Sequence, residues 1–351
     1  MEIKSKQSPF LLFVLILIGF VVRVILERRL TFLKHYPYFN TPLIDLRQLL
    51  EAINNYKISG TYFLDQNAIN QPLVLVKLYH VLYDTYGLIG IKGFLFLCDL
   101  VAVVTQVSLI GKIYKKEKDS GIKQSMQILL ILNPLAMISP AVHNLAIVKY
   151  MILSLVMHGV ISNKGFKGIL SDILCGVSLY VDPSLIYVLV PVRLISNLID
   201  HKSYLIGVNV IKSFLIWAIV LIGILSIVEW KADIRNYVNI LHVRDHSENI
   251  GIYWYIFVEI FKQHVFFYQN LYLLFLVILA SQVVLDLSLY TRVVAINNPK
   301  GKDPSQRILC WSFMLTLYVS KTSFNIFSAA HHFDALSVLA RRQPSASRPL
   351  P

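Results

Sequence analysis

The sequence predicts an all-α protein that crosses a membrane several times. Three observations carry that expectation. Of the 351 residues, 56% are hydrophobic and only 15% are charged, with a mean hydropathy of +0.61. A soluble domain sits nearer ~45–50% apolar and about 25% charged, and could not cover the excess apolar surface. Apolar runs recur along the chain at lengths close to the ~20 residues of a bilayer-crossing helix. Lysine and arginine gather in short segments between those runs, the pattern expected of loops on one membrane side. Together these observations exclude a soluble enzyme, an extracellular disulfide scaffold and a disordered chain. The net charge of +13 has the same topological cause. No Arg-rich block or aromatic-basic interleaving points to nucleic acid.

The first apolar run, 9–26, is about 18 residues, or roughly 27 Å of helix, just enough to span. It lacks a small-residue cleavage site and is followed by Arg28 and Arg29, so it is expected to stay as a first span. Arg23 lies near its end, where it could snorkel outward. Further candidate spans are 88–110, 126–142, 145–162, 168–181, 183–195, 204–228, 265–290 and 308–327, making about nine. Asn133-Pro134, Ser139-Pro140 and Asp182-Pro183 interrupt the middle ones. Proline removes a backbone donor. Such breaks survive at membrane depth only where protein or a water-filled cavity surrounds them. Residues 1–327 therefore read as one transmembrane bundle, and 328–351 as a polar tail.

With the N-terminus in the cytoplasm, four basic segments fall on that side. They are 112–124 (Lys112, Lys115, Lys116, Lys118, Lys123), 163–167, 197–203 and 291–307. The segments 28–87 and 229–263 then fall on the opposite, luminal side, although the first carries basic residues of its own. Both luminal segments carry amphipathic helical patterns. In the first, Leu46, Leu49, Leu50 and Ile53 form one apolar face behind Asp45, with Glu51 outside it. Pro72 suits the start of a second helix, in which Lys77, His80 and Asp84 line a polar stripe. Val74, Leu75, Leu78 and Leu82 form its apolar side. In the second segment, Ile250, Tyr253, Trp254, Phe257 and Phe261 repeat the apolar spacing. Such helices lie along a membrane surface or roof a cavity.

Polar residues inside spans are Asp99, Lys149, Asp172, Asp182, Arg193 and Asp286. The expectation is internal pairing, with Lys149 partnering Asp172 or Asp182. His143 reads as a hydrogen-bonding turn residue, and His331-His332 as without a metal partner set. Cys98, Cys175 and Cys310 lack CxxC spacing and read as packing residues, so neither a metal nor a cofactor is expected. No GxSxG, HExxH, Walker A or GxGxxG pattern appears in a credible context. A membrane sugar transferase needs paired carboxylates in its first luminal loop, to hold a metal and activate a hydroxyl. Here Asp45, Glu51 and Asp65 stand well apart. A transporter would carry an internal repeat with matching broken helices, and none is evident.

The stretch Asn249-Ile250-Gly251-Ile252-Tyr253-Trp254-Tyr255-Ile256-Phe257-Val258-Glu259-Ile260-Phe261 resembles the NIGxxWYFFxExF motif of the GPI transamidase subunit U family. Glu51, Tyr62, Asn70-Gln71-Pro72-Leu73 and Leu78-Tyr79-His80 resemble that family's first luminal region, with Gln71 where Thr is usual. Leu132-Asn133-Pro134 followed by Ser139, and Leu179-Tyr180-Val181-Asp182-Pro183, resemble two of its turns. The residues after Phe327 depart from it.

The resemblance implies a mannosyltransferase-like (GT-C-like) bundle in the endoplasmic reticulum membrane. It implies a non-catalytic subunit of the complex that attaches GPI to protein C-termini, with the nucleophile in a cysteine-protease-like partner subunit. Its expected ligands are the GPI glycolipid and membrane lipids. The residues expected to meet the lipid anchor are Asn249, Trp254 and Glu259, with Tyr62, Gln71 and His80 on the opposite wall. The alternative is a dolichol-phosphate-dependent mannosyltransferase of the same fold and membrane, which the separated carboxylates disfavour.

Overall fold

Local chemistry sets the helix boundaries in the computed structural model, which describes residues 9–29, 45–60, 62, 71–113, 120–161, 166–186, 189–190, 192–193, 206–227 and the single positions 264, 267, 271, 274, 278 and 281. The described residues form helices and no strand. Helix α1 spans Pro9–Arg29. Helix α2, Leu46–Ser59, starts at Asp45, whose carboxylate accepts the Arg47 N–H at 3.1 Å, the usual way to satisfy an orphan donor at a helix start. It stops at Gly60, whose φ of 72° lets its N–H return to the Tyr56 carbonyl at 2.8 Å.

Helix α3, Leu73–Ile113, joins two elements that the sequence separates. The joint is Gly87, with φ 65° and ψ −154°. That backbone region is open essentially to glycine alone. At 1.5 Å per residue the 41 residues would reach about 60 Å, twice a bilayer's hydrocarbon core. By length, the segment after Gly87 alone is enough for one crossing. The run 126–142 is likewise not one helix: α4 (Ser120–Ile131) and α5 (Pro134–Ala141) are divided at Asn133-Pro134. Helix α6 (Ile147–Ile161), α7 (Phe166–Val181), a 3₁₀ turn at Pro183–Leu185 and α8 (Ile206–Ile227) follow. Among the described residues, Leu73–Lys112 and Val208–Ile227 are long and apolar enough to cross a membrane, and α6 and α7 are shorter apolar helices. Of the candidate spans 265–290 and 308–327, only 267, 271, 274, 278 and 281 are described, and all five are helical.

Contacts between helices fix their directions. Leu12, Leu15 and Ile16 pack with Val103 and Val107, Phe20 meets Phe96, Arg23 meets Asp99, and Glu27 meets Lys92. So α1 runs antiparallel to the second half of α3. Gln127 donates to the Val107 carbonyl at 3.2 Å, while His143 reaches Glu27, so α4 and α5 climb beside α1. Thr105 bonds Ser154 and Ser108 bonds His158, both at 3.1 Å, so α6 descends with α3. Gly159 abuts Ser171 and Lys149 reaches Asp182, so α7 ascends. The chain passes Leu185 and then Arg193, which bonds Asp172, so it descends again before α8 climbs beside α7. At Gly176 an added Cβ would lie 2.8 Å from Val220, so the missing side chain lets α7 and α8 close up.

The core lies between these helices, with Leu49, Ile53, Tyr79, Leu95, Leu145 and Leu189 fully enclosed. One sequence expectation changes, one is resolved between its two alternatives, and one is refined. Arg23 does not snorkel. It is buried against Asp99, because the face of α1 that carries it is the one packed on α3 and α4, and a carboxylate waits there. Asp172 is taken by Arg193 and Ser213, which leaves Lys149 to Asp182 at 3.2 Å. On the first half of α3, Leu75 is buried and Leu82 packs on the core, but Val74 and Leu78 are exposed. The enclosed side there is Leu73, Leu75, Val76 and Tyr79, chosen by where α2 and α7 sit.

Candidate functional site

The helix directions bring four parts of the chain to one end of the bundle. These are the end of α1, the α2–α3 pair, the turn between α5 and α6, and the turn after α7. The Val74 N–H donates to the Tyr180 hydroxyl at 3.3 Å, tying the start of α3 to the end of α7. Lys149 at the start of α6 binds Asp182 just beyond α7. Glu27 at the end of α1 receives both Lys92 at 2.9 Å and His143 at 3.0 Å. His143 adopts a φ of 61°, unusual for a side-chain-bearing residue, and is buried beside Asn144. The turn expectation for His143 thus acquires a specific partner that sequence spacing did not show.

Two of the expected site residues touch. The Tyr62 hydroxyl lies 2.8 Å from His80 Nδ1. His80 Nε2 lies 3.0 Å from one Asp84 oxygen, and Lys57 Nζ lies 2.8 Å from the other. Burial pushes the Tyr62 hydroxyl upward from its ordinary value, so it stays protonated, and the ring tautomer sets which of the two groups donates. His80 Nε2 faces the Asp84 carboxylate at 3.0 Å without hydrogen-bond geometry. The Lys57 hydrogen bond, the largest influence, lowers the Asp84 carboxyl and outweighs its desolvation. Tyr56 stacks on Tyr62 with ring centres 4.1 Å apart, and Lys57 stands 5.1 Å over the Tyr83 ring.

This arrangement presents one exposed aromatic ring, Tyr56, stacked on the buried Tyr62, beside a cation, a carboxylate and an imidazole. It can stack on a sugar or ring and hydrogen-bond to hydroxyl or phosphate oxygens. Gln71, the third expected wall residue, is enclosed at the entry to α3 beside Pro72. Of the acids weighed in the first loop, Asp45 is occupied as a helix cap and Glu51 is exposed on α2. Asp65 lies outside the described residues, as do Asn249, Trp254 and Glu259. Sequence reasoning missed Tyr56, Lys57 and Tyr83. Their signal was weak: two residues at the end of one helix and one a turn beyond His80 on the next.

No individual curated protein matches the chain. Residues 13–298 match the family model described as GPI transamidase subunit PIG-U.

Proposed function

This chain belongs to the PIG-U family of GPI transamidase subunits, and we propose that in that complex it recognises and presents the lipid anchor without supplying catalytic residues. The observation that carries the reading is the family match, which extends over 13–298 and so includes both expected site segments. The cluster of Tyr56, Tyr62, His80, Asp84 and Lys57 supports it, because its chemistry suits a sugar-phosphate headgroup. The acids near it are engaged: Asp84 by Lys57 and His80, Asp45 by its own helix start. The acyl chains would lie along the apolar flanks of the bundle, with Asn249, Trp254 and Glu259 facing Tyr62, Gln71 and His80.

The alternating helix directions support a multi-pass chain, the family match supports the endoplasmic reticulum membrane, and the basic loops support a cytoplasmic N-terminus. The aromatic cluster, the Glu27 group and Asp182 then share the luminal end. The partners on this reading are the other transamidase subunits, including the cysteine-protease-like one, and membrane lipids.

The test is affinity purification in mild detergent, followed by mass spectrometry of proteins and lipids. Co-recovery of a cysteine-protease-like subunit with GPI is expected, as is loss of GPI but not of the subunit from Tyr62→Ala/His80→Ala. Recovery of the chain alone with a dolichol-phosphate sugar would overturn the reading in favour of a mannosyltransferase.

A further inference from the structure

The outward face of α3 changes character toward the end of the helix. Leu97 and Val104 stand exposed at helical spacing and are apolar. Within the next two turns the same face carries Ser108, which is exposed, and Gly111, which has no side chain. Helix α4 borders this face on one side and α6 on the other. From α4, Gln127 reaches the Val107 carbonyl at 3.2 Å, and Lys123 Nζ lies 4.0 Å from the point where a Gly111 Cβ would stand. From α6, His158 Nε2 lies 3.1 Å from Ser108 Oγ. Ser108 and Gly111 thus floor a notch walled by Lys123 and His158, at the end of the bundle opposite the aromatic cluster.

The notch gathers hydrogen-bond donors. Lys123 brings a full positive charge, is half-buried, and has no ion-pair partner among the described residues. With the ring proton on Nε2, His158 donates to Ser108 Oγ and leaves the hydroxyl proton free for an acceptor. Gln127 keeps a second amide N–H beyond the one given to Val107. Lys112 is exposed just past Gly111, and residues 112–123 hold five lysines against two acids, Glu117 and Asp119. A plain contact between helices looks different. One turn earlier Thr105 also joins α6, but its partner Ser154 is buried and Thr105 returns its hydroxyl to the Ala102 carbonyl, so that pair is closed. Ser108 opens outward instead, with a cation on the neighbouring helix.

From this arrangement we propose that the notch formed by Ser108, Gly111, Lys123 and His158 binds the phosphate of an anionic phospholipid, with an acyl chain along Val104 and Leu97. Basic pockets between membrane-crossing helices are where acidic headgroups bind. The amphiphile is selected by the gradation: donors stand at the helix end, and the apolar strip continues from them into the crossing half of α3. A free phosphate would use the donors and leave the strip unused. Glycine at 111 keeps the floor open, since a Cβ there would already touch Gln127 and Lys123 at 3.7–4.0 Å and a larger side chain would take the space. The notch and the Tyr62–His80 cluster lie at opposite ends of the bundle. The notch therefore serves a bilayer lipid of the other leaflet, and the inference does not rest on the proposed anchor recognition.

The experiment places the photocrosslinking residue p-benzoylphenylalanine at Val104 in the full-length chain. The chain is assembled with its co-purifying subunits in vesicles of phosphatidylcholine with a minor fraction of phosphatidylserine, and mass spectrometry reads the adducts. Phosphatidylserine adducts several-fold above that lipid's share of the vesicle are expected. Lys123→Gln should lower the enrichment roughly five-fold, the weight of one lysine near a charged surface. Ser108→Ala should lower it, and Gly111→Leu should abolish it by filling the notch. Lys212→Gln removes an exposed cation of α8 at the same end of the bundle and should leave it unchanged. Adducts in bulk proportion overturn the inference. So does an equal loss from Lys212→Gln and Lys123→Gln, which would mean diffuse charge and no site. Adducts to another protein chain would overturn it in favour of a subunit contact on this face. If the probe at 104 prevents assembly, the same residue at Leu97 reads the same strip.

Discussion

Arg23 of α1 and Asp99 of α3 meet at 2.7 Å with side chains only 3% and 5% exposed. Arg23 also donates to the Gly19 carbonyl at 3.0 Å and leans on the Ile131 carbonyl at 3.4 Å. One guanidinium thus joins α1, α3 and α4 where water is scarce. A single buried charge is costly, while an opposed pair with added hydrogen bonds is tolerable. Its main consequence is register, because sliding α1 by one residue would separate the charges.

Removing one partner should therefore harm the fold more than removing both. Arg23→Met leaves the Asp99 carboxylate alone and is expected to cost about 3–5 kcal/mol, whereas Arg23→Met/Asp99→Leu recovers most of that loss. Melting followed by fluorescence-detected size exclusion in detergent measures both. Equal losses in the single and double variants would show that the pair does not act as a unit.

Gly87 offers a cleaner backbone test. A Cβ there would meet nothing within 4 Å, so space is no obstacle. The obstacle is the φ of 65° with ψ of −154°, a strain of about 1–3 kcal/mol for an L side chain. Gly87→Ala should lower the melting temperature. Gly93→Ala, in the same helix with equally open space but ordinary helical backbone, should be neutral or stabilising by up to ~1 kcal/mol. Similar behaviour of the two variants would mean that the break at Gly87 does not contribute to the native state.

Acid should reveal the Lys57–Asp84 contact. Its carboxyl lies below the ordinary 3.8, chiefly through the Lys57 hydrogen bond, so the folded chain binds that proton less readily than the unfolded chain. The contact contributes stability above about pH 4 and loses it as the pH falls through the lowered value. Both side chains are about half exposed, so solvent screens the effect and it should be small. Asp84→Asn should melt slightly below the unmodified chain at neutral pH, and the gap should close in acid. A gap that persists or widens in acid would mean that another group sets the stability of this cluster.

Much of the site was legible residue by residue. The Leu46–Leu49–Ile53 face and the placing of His80 and Asp84 on one stripe both follow from 3.6-residue periodicity. That Tyr62 would reach His80 was not legible. Eighteen positions and a polar stretch separate them, and spacing along a chain carries no information about closure of a loop. The choice of Asp182 over Asp172 for Lys149 was closed in the same way, because Arg193 had to arrive from a later segment to claim Asp172.

The sequence by itself determined that this is an all-α membrane protein, because composition and run length are properties of the solvent a chain must satisfy, and no partner is needed to read them. It also carried the family motif, since a motif is local order. Only the tertiary structure decided which side of each helix faces inward. Arg23 could equally point to an interface or to Asp99, and Val74 could equally be core or exposed, until the neighbouring helices took their places. Periodicity defines a face, but only packing against a particular neighbour gives that face a direction.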